Sequence, residues 1–401
     1  MVLNDICYYV KDKRNFEGIN STNYVTTDNM LPNKAGITYS EYLPDSGTVD
    51  AFKKGDVLIS NIRPYFKKIW LADQDGGCCA DVLILRPKGI SSELLYAYLS
   101  QDSFFEYDTK GAKGSKMPRG DKNHIMQFPI VELKNGESIG KFIKNIDDKI
   151  ALNNKTNTEL ENMAKTIYDY WFTQFDFPNK NGHPYKTSSG QMVYNEILKR
   201  EIPAGWEVEQ LRHYLDCNKN SITKNQKFDY INYLDTGSLT ENIITEFQVI
   251  KNTDSLPSRA KRIVKKNDIL YSSVRPLLKH YGIIKAPKEN MIASTGFIIL
   301  SSKVDSRYND FFYNYIILES NLNKLVSIAA SNVSAYPSIT PDDLLDLYIP
   351  MPKDFNLLDD FISKIQPIYE LINKNQKESE ELTKFRDYLL PLLMNGQIEV
   401  K

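Results

Sequence analysis

Hydrophobic positions follow two different periods along this 401-residue chain, and the change between them divides it into parts. Up to about residue 135, apolar residues form short runs such as 57–59 and 82–85, each bounded by glycine, aspartate, proline or lysine. Runs of this length between turn-forming residues are typical of β-strands. Because residues 94–99 have the pattern of a helix, the first part is predicted to be a mixed α/β domain.

From residue 139 the period changes to alternating steps of four and three, which is typical of a long helix with a heptad stripe. No proline or glycine interrupts residues 141–172, so a helix of about 50 Å is predicted at about 1.5 Å per residue. Two asparagines within the stripe cost stability but can set the register of a helix pair. The stripe consists of Ile139, Ile143, Ile146, Ile150, Asn153, Asn157, Leu160, Ala164, Ile167 and Trp171.

A second, weaker stripe with the same step runs toward the C-terminus, where Pro367 is expected to kink or restart the helix. Each stripe can belong to an amphipathic helix that lies on the surface of its own domain. Two stripes after two similar domains favour an antiparallel helix pair that holds the domains at opposite ends of a rod. The second stripe consists of Phe361, Ile365, Ile368, Ile372, Asn375, Ser379, Leu382, Arg386, Leu389 and Leu393.

The similarity of the two domains rests on a long internal repeat. The segment Lys-Lys-Gly-Asp-Val-Leu-Ile-Ser-Asn-Ile-Arg-Pro at 53–64 returns as Lys-Lys-Asn-Asp-Ile-Leu-Tyr-Ser-Ser-Val-Arg-Pro at 265–276, and residues 79–85 match 294–300. The spacing is far longer than a solenoid repeat of about 20–50 residues, so a whole domain is repeated in tandem. A duplicated domain predicts a duplicated task, such as reading two similar objects side by side. The segment 174–206, rich in proline, glycine and asparagine, is predicted to connect the halves.

Composition places the chain among globular proteins, with 41% hydrophobic and 25% charged residues. At this length two or more domains are expected. No run of 18 apolar residues and no basic, apolar N-terminal segment is present, so neither a membrane span nor a signal peptide is predicted. Four cysteines in a chain of this size make no disulfide framework, which favours a reducing cytoplasm.

No catalytic constellation stands out in the sequence. The chain contains no Gly-x-x-x-x-Gly-Lys-Ser/Thr loop, no strand–Gly-x-Gly–helix pattern, and no Asn/Asp-Pro-Pro-aromatic loop of amino-methylating enzymes. Its four histidines are dispersed and form no His-x-x-x-His metal pair. The sequence therefore predicts a recognition protein that is not an enzyme and uses no cofactor and no metal.

Basic residues are concentrated in runs within the two similar domains, although the net charge of the chain is -1. Arg63 and Arg275 each follow an apolar run and precede a proline, which fixes the turn that presents them. A guanidinium held in this way can fork onto a phosphate or a guanine edge. Equally, it can pair with a nearby aspartate, and the sequence does not decide between these roles.

Two equivalent loops are predicted to contact one type of ligand with different side chains. The loop 111–121 is rich in lysine around Pro118, whereas the matching stretch 330–338 keeps Pro337 but carries serine, asparagine and tyrosine. Such side chains contact bases and phosphates, so the two domains would read different sequences. The candidate DNA-binding residues are Arg63, Lys67, Lys68, Lys110, Lys113, Ser115, Lys116, Arg119, Lys122, Arg259, Lys261, Arg262, Arg275, Lys279, Ser331, Asn332, Ser334 and Tyr336.

The whole chain resembles the specificity subunit of type I restriction-modification systems. The resemblance is carried by the Gly-Asp-Val-Leu-Ile-Ser...Arg-Pro passage at 55–64, by its echo at 267–276, and most specifically by the central connector. The first domain has no match to the Pro-x-Gly-Trp motif at 203–206, so its start is shorter than the family pattern. The connector residues are Trp171, Phe172, Asp176, Phe177, Asn181, Gly182, Pro184, Tyr185, Lys186, Met192, Val193, Tyr194, Ile202, Pro203, Gly205 and Trp206.

The resemblance implies an α+β fold, in which two tandem α/β target-recognition domains are joined and spaced by two long helices packed as an antiparallel coiled coil. Each domain would read one half of an asymmetric, bipartite DNA site. The expected parts are the first target-recognition domain at 1–136, the first spacer helix at 137–174, the connector at 175–205, the second target-recognition domain at 206–353 and the second spacer helix at 354–401.

The resemblance also implies partners. They are double-stranded DNA, two DNA adenine methyltransferase subunits and motor-endonuclease subunits, with no membrane involved and no catalytic role for the chain itself. The alternative is a coiled-coil scaffold whose duplicated domains bind protein. Basic loops that are buried or paired with acids would favour that alternative.

Overall fold

The described residues of the computed structural model form two compact units. The first unit combines Met1–Thr156 with the chain from Asn375 onward, and the second unit spans Asn157–Lys374. The described ranges are 1–40, 42–44, 46–223, 226–251, 256–331 and 337–400.

Two four-stranded sheets form the globular part of the first unit. The strand Val57–Ser60 lies inside the first sheet and all of its residues are buried, as its apolar run predicts. The turn before this strand needs a residue with positive φ, which Gly55 supplies at +92°. In hydrogen-bonded order the strands are Cys7–Tyr9, Val82–Pro87, Val57–Ser60 and Ile69–Leu71 in the first sheet, then Lys13–Asn15, Thr48–Phe52, Gly76–Cys78 and Tyr24–Val25 in the second.

The second unit repeats the first sheet strand for strand. Asn267, with φ at 69°, takes the place of Gly55, because asparagine tolerates the left-handed conformation better than most residues. The second sheets of the two units differ in one strand. Gln248–Lys251 pairs with Tyr230–Leu234 in the second unit, whereas Lys13–Asn15 pairs with Thr48–Phe52 in the first. In order, the strands are Leu215–Cys217, Phe297–Ser302, Ile269–Ser272 and Tyr281–Ile283, then Gln248–Lys251, Tyr230–Leu234, Met291–Ser294 and Ala260–Ile263, with the pairs Leu239–Thr240 and Ile243–Ile244, Glu207–Gln210 and Tyr348–Met351, and Met192–Asn195 and Arg200–Pro203.

Helices pack against the first sheet of each unit. Leu95 and Phe104 are buried beside Val57 in the first unit, and Phe311 and Leu325 are buried beside Ile269 in the second. The α-helices are Leu3–Ile6, Ser92–Leu99, Asp102–Gly111, Lys122–Ile125, the first long helix Gly136–Tyr168, Asn309–Ile316, Glu319–Ser331, Pro341–Leu345 and the second long helix Asn356–Met394. A π-helical turn, Asp169–Thr173, extends the first long helix.

Within the first unit the two long helices run antiparallel. Arg386 Nη1 lies 2.6 Å from Asp147 Oδ1, and farther along the first long helix Asn153 Nδ2 lies 2.8 Å from Glu378 Oε2. Residue numbers therefore rise on one helix as they fall on the other. Asn153 and Arg386 are buried although they are polar, because each bonds to the facing helix. These polar residues of the two stripes therefore lie where their side chains bond to the other long helix.

Each stripe also packs against a globular domain. In the first unit Ile143 and Leu393 lie in the apolar cluster that contains the first sheet. In the second unit Trp171 and Phe361 lie in the corresponding cluster, with 5.9 Å between their ring centroids. The two arrangements left open by the sequence therefore coexist, since each helix buries one stripe against both its partner helix and a domain.

Pro367 does not restart the second long helix, which was one of the two outcomes expected. The helix runs from Asn356 to Met394 through both Pro367 and Pro391. Pro367 is exposed, whereas Ile365 and Tyr369 on either side are buried in the core of the second unit. Proline inside a helix costs about 3 kcal/mol, and burial of two large side chains of this kind offsets a cost of that size.

These elements confirm the expected α+β fold class, with a long helix after each of two α/β domains. Val2 meets Pro129 through a single bridge, where the second domain pairs the strands Glu207–Gln210 and Tyr348–Met351.

Candidate nucleic-acid interface

Each unit presents an arginine on the same unusual turn. Arg63 has φ 51° and ψ 64°, and Arg275 has φ 50° and ψ 66°, so both occupy the left-handed region. Lys67 and Lys279 close the two turns, each with φ 53°. This conformation costs a residue with a Cβ atom about 1–2 kcal/mol, and it persists only where the surrounding structure imposes it. The sequence repeat is therefore also a repeat of backbone strain at the candidate arginine.

Backbone hydrogen bonds clamp each turn to the loop that carries the equivalent proline. Arg63 N donates to Pro118 O over 2.8 Å, and Arg275 N donates to Pro337 O over 2.8 Å. In the first domain the loop 111–121 is therefore fixed beside the turn of Arg63, and in the second domain Pro337 is fixed beside the turn of Arg275. Matching bridges join Ile62 to Arg119 and Val274 to Ser338.

Two exposed apolar side chains follow the proline in each turn, and they are absent from the candidates that the sequence suggested. Tyr65 and Phe66 are 48% and 38% exposed, and Leu277 and Leu278 are 68% and 48% exposed. Apolar side chains contact the methyl group of thymine, and aromatic rings stack on bases. The signal that could have found them is their place directly after Arg-Pro in both copies.

Several cationic candidates of the first unit are paired with carboxylates. Lys67 Nζ lies 3.0 Å from Asp102 Oδ2, and Arg119 Nη2 lies 3.1 Å from Asp81 Oδ1. Because the Arg119 side chain is 56% exposed, this pair contributes at most about 1 kcal/mol. A surface pair of that strength can open when a phosphate approaches.

The remaining partners in the first unit are more varied. Lys113 pairs with Asp121, and this bond together with backbone amides lowers the pKa of Asp121 to about 2. Lys68 Nζ donates to Thr27 O over 2.6 Å, and burial lowers the pKa of Lys68. Lys122 Nζ lies 6.0 Å from the ring centroid of Tyr9.

Four candidates of the first unit have no such partner. Lys110, Ser115 and Lys116 are exposed, and among the described residues no carboxylate lies within ion-pair distance of Lys110 or Lys116. The same holds for Arg63, whose buried Nε also has no hydrogen-bond partner in the described part of the chain. An arginine without a carboxylate partner leaves its guanidinium available to an external anion.

In the second unit the basic run lies on an edge strand of the second sheet. Arg259 and Lys261 are exposed, and Arg262 Nη1 donates to Ser221 Oγ over 3.2 Å. Lys279 Nζ lies 2.9 Å from Glu241 Oε1. Arg275 is exposed, and Ser331 Oγ donates to Ile328 O over 2.7 Å. Asn332, Ser334 and Tyr336 lie outside the described residues.

A buried carboxyl group lies behind the loop of the first unit. Neither oxygen of Asp108, nor Oδ1 of Asn61, has a hydrogen-bond partner among the described residues. Both side chains face Gly120, where a Cβ atom would lie 2.4 Å from Asp108 Oδ1 and 3.0 Å from Asn61 Oδ1. Burial raises the pKa of Asp108 to about 7, and His124 opposes the shift. When protonated, the Asp108 carboxyl group carries an O–H that can donate a hydrogen bond, whereas Asn61 Oδ1 can only accept one.

Asp108→Asn is expected to stabilise the protein above pH 7 by up to about 4 kcal/mol. The pKa of Asp108 in the folded state lies above its ordinary value of 3.8, so wild-type stability falls as pH rises from about 4 to about 7. The amide keeps the shape of the carboxyl group and stays neutral. Thermal unfolding at pH 5 and pH 8 should therefore show a larger gain at pH 8. Asp73→Asn, at an exposed loop position, is the control, and equal gains at both pH values would contradict the assignment.

Other chemistry is limited within the described ranges. No group of histidine, cysteine, aspartate or glutamate residues there is arranged to hold a metal ion. No described helix is long and apolar enough to cross a membrane. The four cysteines are free thiols.

Comparison with known proteins gives one consistent result. A family model described as "Type I restriction modification DNA specificity domain" matches residues 203–384, which include the second Arg-Pro turn. The MjaIX specificity subunit of Methanocaldococcus jannaschii is 26% identical over 324 residues, which cover 79% of this chain and 72% of that protein. The HindI specificity subunit of Haemophilus influenzae is 22% identical over 471 residues, covering 99% and 98%.

The fold agrees with that of a solved relative. The crystal structure of a type I restriction-modification S subunit from M. genitalium superposes with a TM-score of 0.52, covering 98% of this chain and 95% of that chain at 14% identity. The family model and the two relatives name the same kind of protein, and the solved structure shows the same fold. Residues 203–384 thus match a type I restriction-modification DNA specificity domain, and the chain is similar to type I specificity subunits over most of its length.

Proposed function

We propose that the chain reads an asymmetric, bipartite DNA site, with one half read by each α/β domain. The observation that carries this proposal is the left-handed Arg-Pro turn, which is built by the same backbone bonds in both units. The side chains around the two turns differ, with tyrosine and phenylalanine after Pro64 and two leucines after Pro276. Two different half-sites would be read by turns that share one backbone geometry and differ in their side chains.

The charge distribution supports a division of labour at each half-site. Arg63 and Arg275 are placed to contact a guanine edge or a phosphate, because a fixed guanidinium can bind either in two-pronged fashion. The exposed Lys110, Lys116 and Lys261 are suited to phosphates, which orient a protein without carrying sequence information. The other candidates, paired with surface carboxylates, would add to the phosphate contacts once those pairs open.

The partners we propose are double-stranded DNA, two DNA adenine methyltransferase subunits and motor-endonuclease subunits, in the cytoplasm. The chain would select the site, while the methyltransferase subunits would supply the chemistry. The long helices would set the distance between half-sites, because a helix of about 50 Å exceeds one duplex turn of about 34–36 Å. Two helices following two similar domains offer one docking face for each methyltransferase subunit.

One observation favours the alternative of a protein-binding scaffold. Lys113, Arg119 and Lys279 are paired with carboxylates of their own unit, as ordinary solvated surfaces are. However, Lys113 and Arg119 are 80% and 56% exposed, so such pairs are weak and salt-sensitive. Binding of the assembled complex to duplex DNA with a steep salt dependence would exclude the scaffold.

Exchange of the second domain tests the proposed function. Residues 206–353 are replaced by the matching segment of a relative with a different known site, and adenine methylation is mapped in cells. We expect one half of the site to change while the other half and the spacing stay. The reciprocal exchange of residues 1–136 is the matched control and should change the other half only. A change in both halves, or in neither, would refute the assignment of one half-site to each domain.

A further inference from the structure

A buried lysine connects the first Arg-Pro turn to the second long helix. In the first unit, Asn33 N and Lys34 N donate to Phe66 O and Lys67 O over 2.8 and 2.9 Å. The Lys34 side chain is only 4% exposed, and its Nζ lies 3.0 Å from Asp387 Oδ1 on the second long helix. The turn that presents Arg63 is thus bonded to a segment that is itself anchored to that helix.

The same lysine shares a second carboxylate with the turn. Asp102 bonds Lys34 over 3.1 Å and Lys67 over 3.0 Å. Burial alone would raise the pKa of Asp102, but Lys34 and Lys67 together lower it below its ordinary value. Asp387 also bonds Arg386, which reaches Asp147 on the first long helix over 2.6 Å. An unbroken series of charged contacts therefore joins the turn to both long helices within the first unit.

The second unit makes an equivalent connection with different residues. Glu241 N and Asn242 N donate to Lys279 O and Tyr281 O over 3.0 and 2.8 Å. Asn242 is buried, and its Nδ2 donates to Glu161 Oε1 on the first long helix over 2.7 Å. In both units the connecting segment has two successive residues with positive φ, at 56° and 63° in the first and at 43° and 64° in the second. The device is therefore part of the duplicated design.

The connections are crossed with respect to the sequence. Asp387 belongs to the helix that follows the second domain, yet it holds the turn of the first domain. Glu161 belongs to the helix that follows the first domain, yet it holds the turn of the second. If each domain simply packed on the helix that follows it in sequence, its connecting segment would bond to that helix. The crossing instead links each helix, through one side chain of the connecting segment, to the reading turn of the other domain.

We propose that Asp387 and Glu161 are positioning residues for DNA reading, Asp387 acting on the half-site of the first domain and Glu161 on that of the second. The inference rests on the proposed function and adds a source of control far from the DNA. With Lys34 or Asn242 released, the turn keeps its backbone bonds but loses its fixed orientation on the helix. Substitutions along such a network change coupling by an amount that corresponds to between about twofold and about thirtyfold.

The test uses the full chain assembled with its methyltransferase subunits. Equilibrium binding is measured to three duplexes: the mapped site, that site with only the first half scrambled, and that site with only the second half scrambled. Asp387→Ala should lower discrimination at the first domain's half-site by about twofold to thirtyfold and leave the other unchanged. Glu161→Ala should do the reverse. Glu161→Gln, which can still accept the hydrogen bond from Asn242, should retain discrimination.

Matched controls are Glu381→Ala and Glu159→Ala, exposed carboxylates on the same two helices, and neither should alter either ratio. Thermal unfolding of every variant separates positioning from stability, because simple destabilisation would weaken both half-sites together. If the wild type discriminates at both half-sites but each variant affects both equally or neither, the inference is wrong. If the wild type itself shows no half-site discrimination, the proposed function fails and this inference with it.

Discussion

Replacing Arg63 or Arg275 by alanine is expected to lower discrimination at one half of the DNA site by about 5- to 150-fold. A two-pronged contact between arginine and guanine is worth about 1–3 kcal/mol against a wrong base, and about 1.4 kcal/mol corresponds to tenfold. Alanine carries the same steric cost in the left-handed conformation as arginine does, so the turn should keep its shape. The loss should fall on the first domain's half-site for Arg63 and on the second domain's for Arg275.

Arginine-to-lysine variants distinguish a base contact from a phosphate contact. Lysine can bind a phosphate as a point charge but lacks the planar fork that matches guanine. At a phosphate position, Arg275→Lys should retain most of the affinity for every sequence, and Arg275→Ala should reduce the salt dependence by about one unit. Arg307→Ala, at an exposed pair with Asp305 in the same unit, is the control. Unaltered binding by both Arg63→Ala and Arg275→Ala would remove the two turns from the interface.

Lys285→Met is expected to destabilise the second unit by about 3–5 kcal/mol, since it leaves a buried carboxylate without its partner. Lys285 pairs with Asp310, and their side chains are 17% and 3% exposed. Lys285 Nζ also lies 3.2 Å from Asn267 Oδ1 and 5.0 Å from the ring centroid of Tyr369 on the second long helix. The lysine therefore joins the turn before a central strand, a helix of the domain and the long helix.

The pH dependence of this variant has a definite sign. Burial raises the pKa of Asp310, and Lys285 opposes that shift in the wild type. Without the lysine the folded-state pKa rises further above the unfolded value, so stability falls as pH rises and the deficit should be larger at pH 8 than at pH 5. Urea unfolding at both pH values measures it. Lys353→Met, at an exposed surface pair with Glu207, should cost less than about 1 kcal/mol.

A double variant keeps this expectation open to refutation. Asp310→Asn combined with Lys285→Met removes both charges, so much of the lost stability should return. A double variant no more stable than Lys285→Met alone would mean that the loss comes from packing around the lysine stem and not from the unpaired carboxylate.

Periodicity and local turn chemistry were readable without the structure because they depend on neighbours in sequence. The step of four and three placed Ile143 and Asn153 on one buried helix face, and both are buried. The Arg-Pro echo located two turns that share the same backbone geometry. A restart of the helix at Pro367 was one expected outcome and does not occur, because local propensity takes no account of the burial of Ile365 and Tyr369 on either side of it.

Polar contacts inside the units could not be read in this way. Nothing near Lys34 in sequence marks it as the partner of Asp387, and nothing near Asn242 points to Glu161. The sequence also left open whether the arginines pair with nearby aspartates, and in the described part of the chain Arg63 has no such partner. These outcomes depend on which side chains meet across long stretches of chain, and on how much water is left between them.

The amino-acid sequence by itself determined the duplication, the two long helices, the α+β class and the resemblance to type I specificity subunits, because repeats, periods and motifs survive without coordinates. Only the tertiary structure decided which charges are buried, which basic residues are already paired, and which long helix contacts the segment beside each Arg-Pro turn. The physical reason is that a polar group's role is set by its solvation and its partners, and both are fixed only when distant parts of the chain come together.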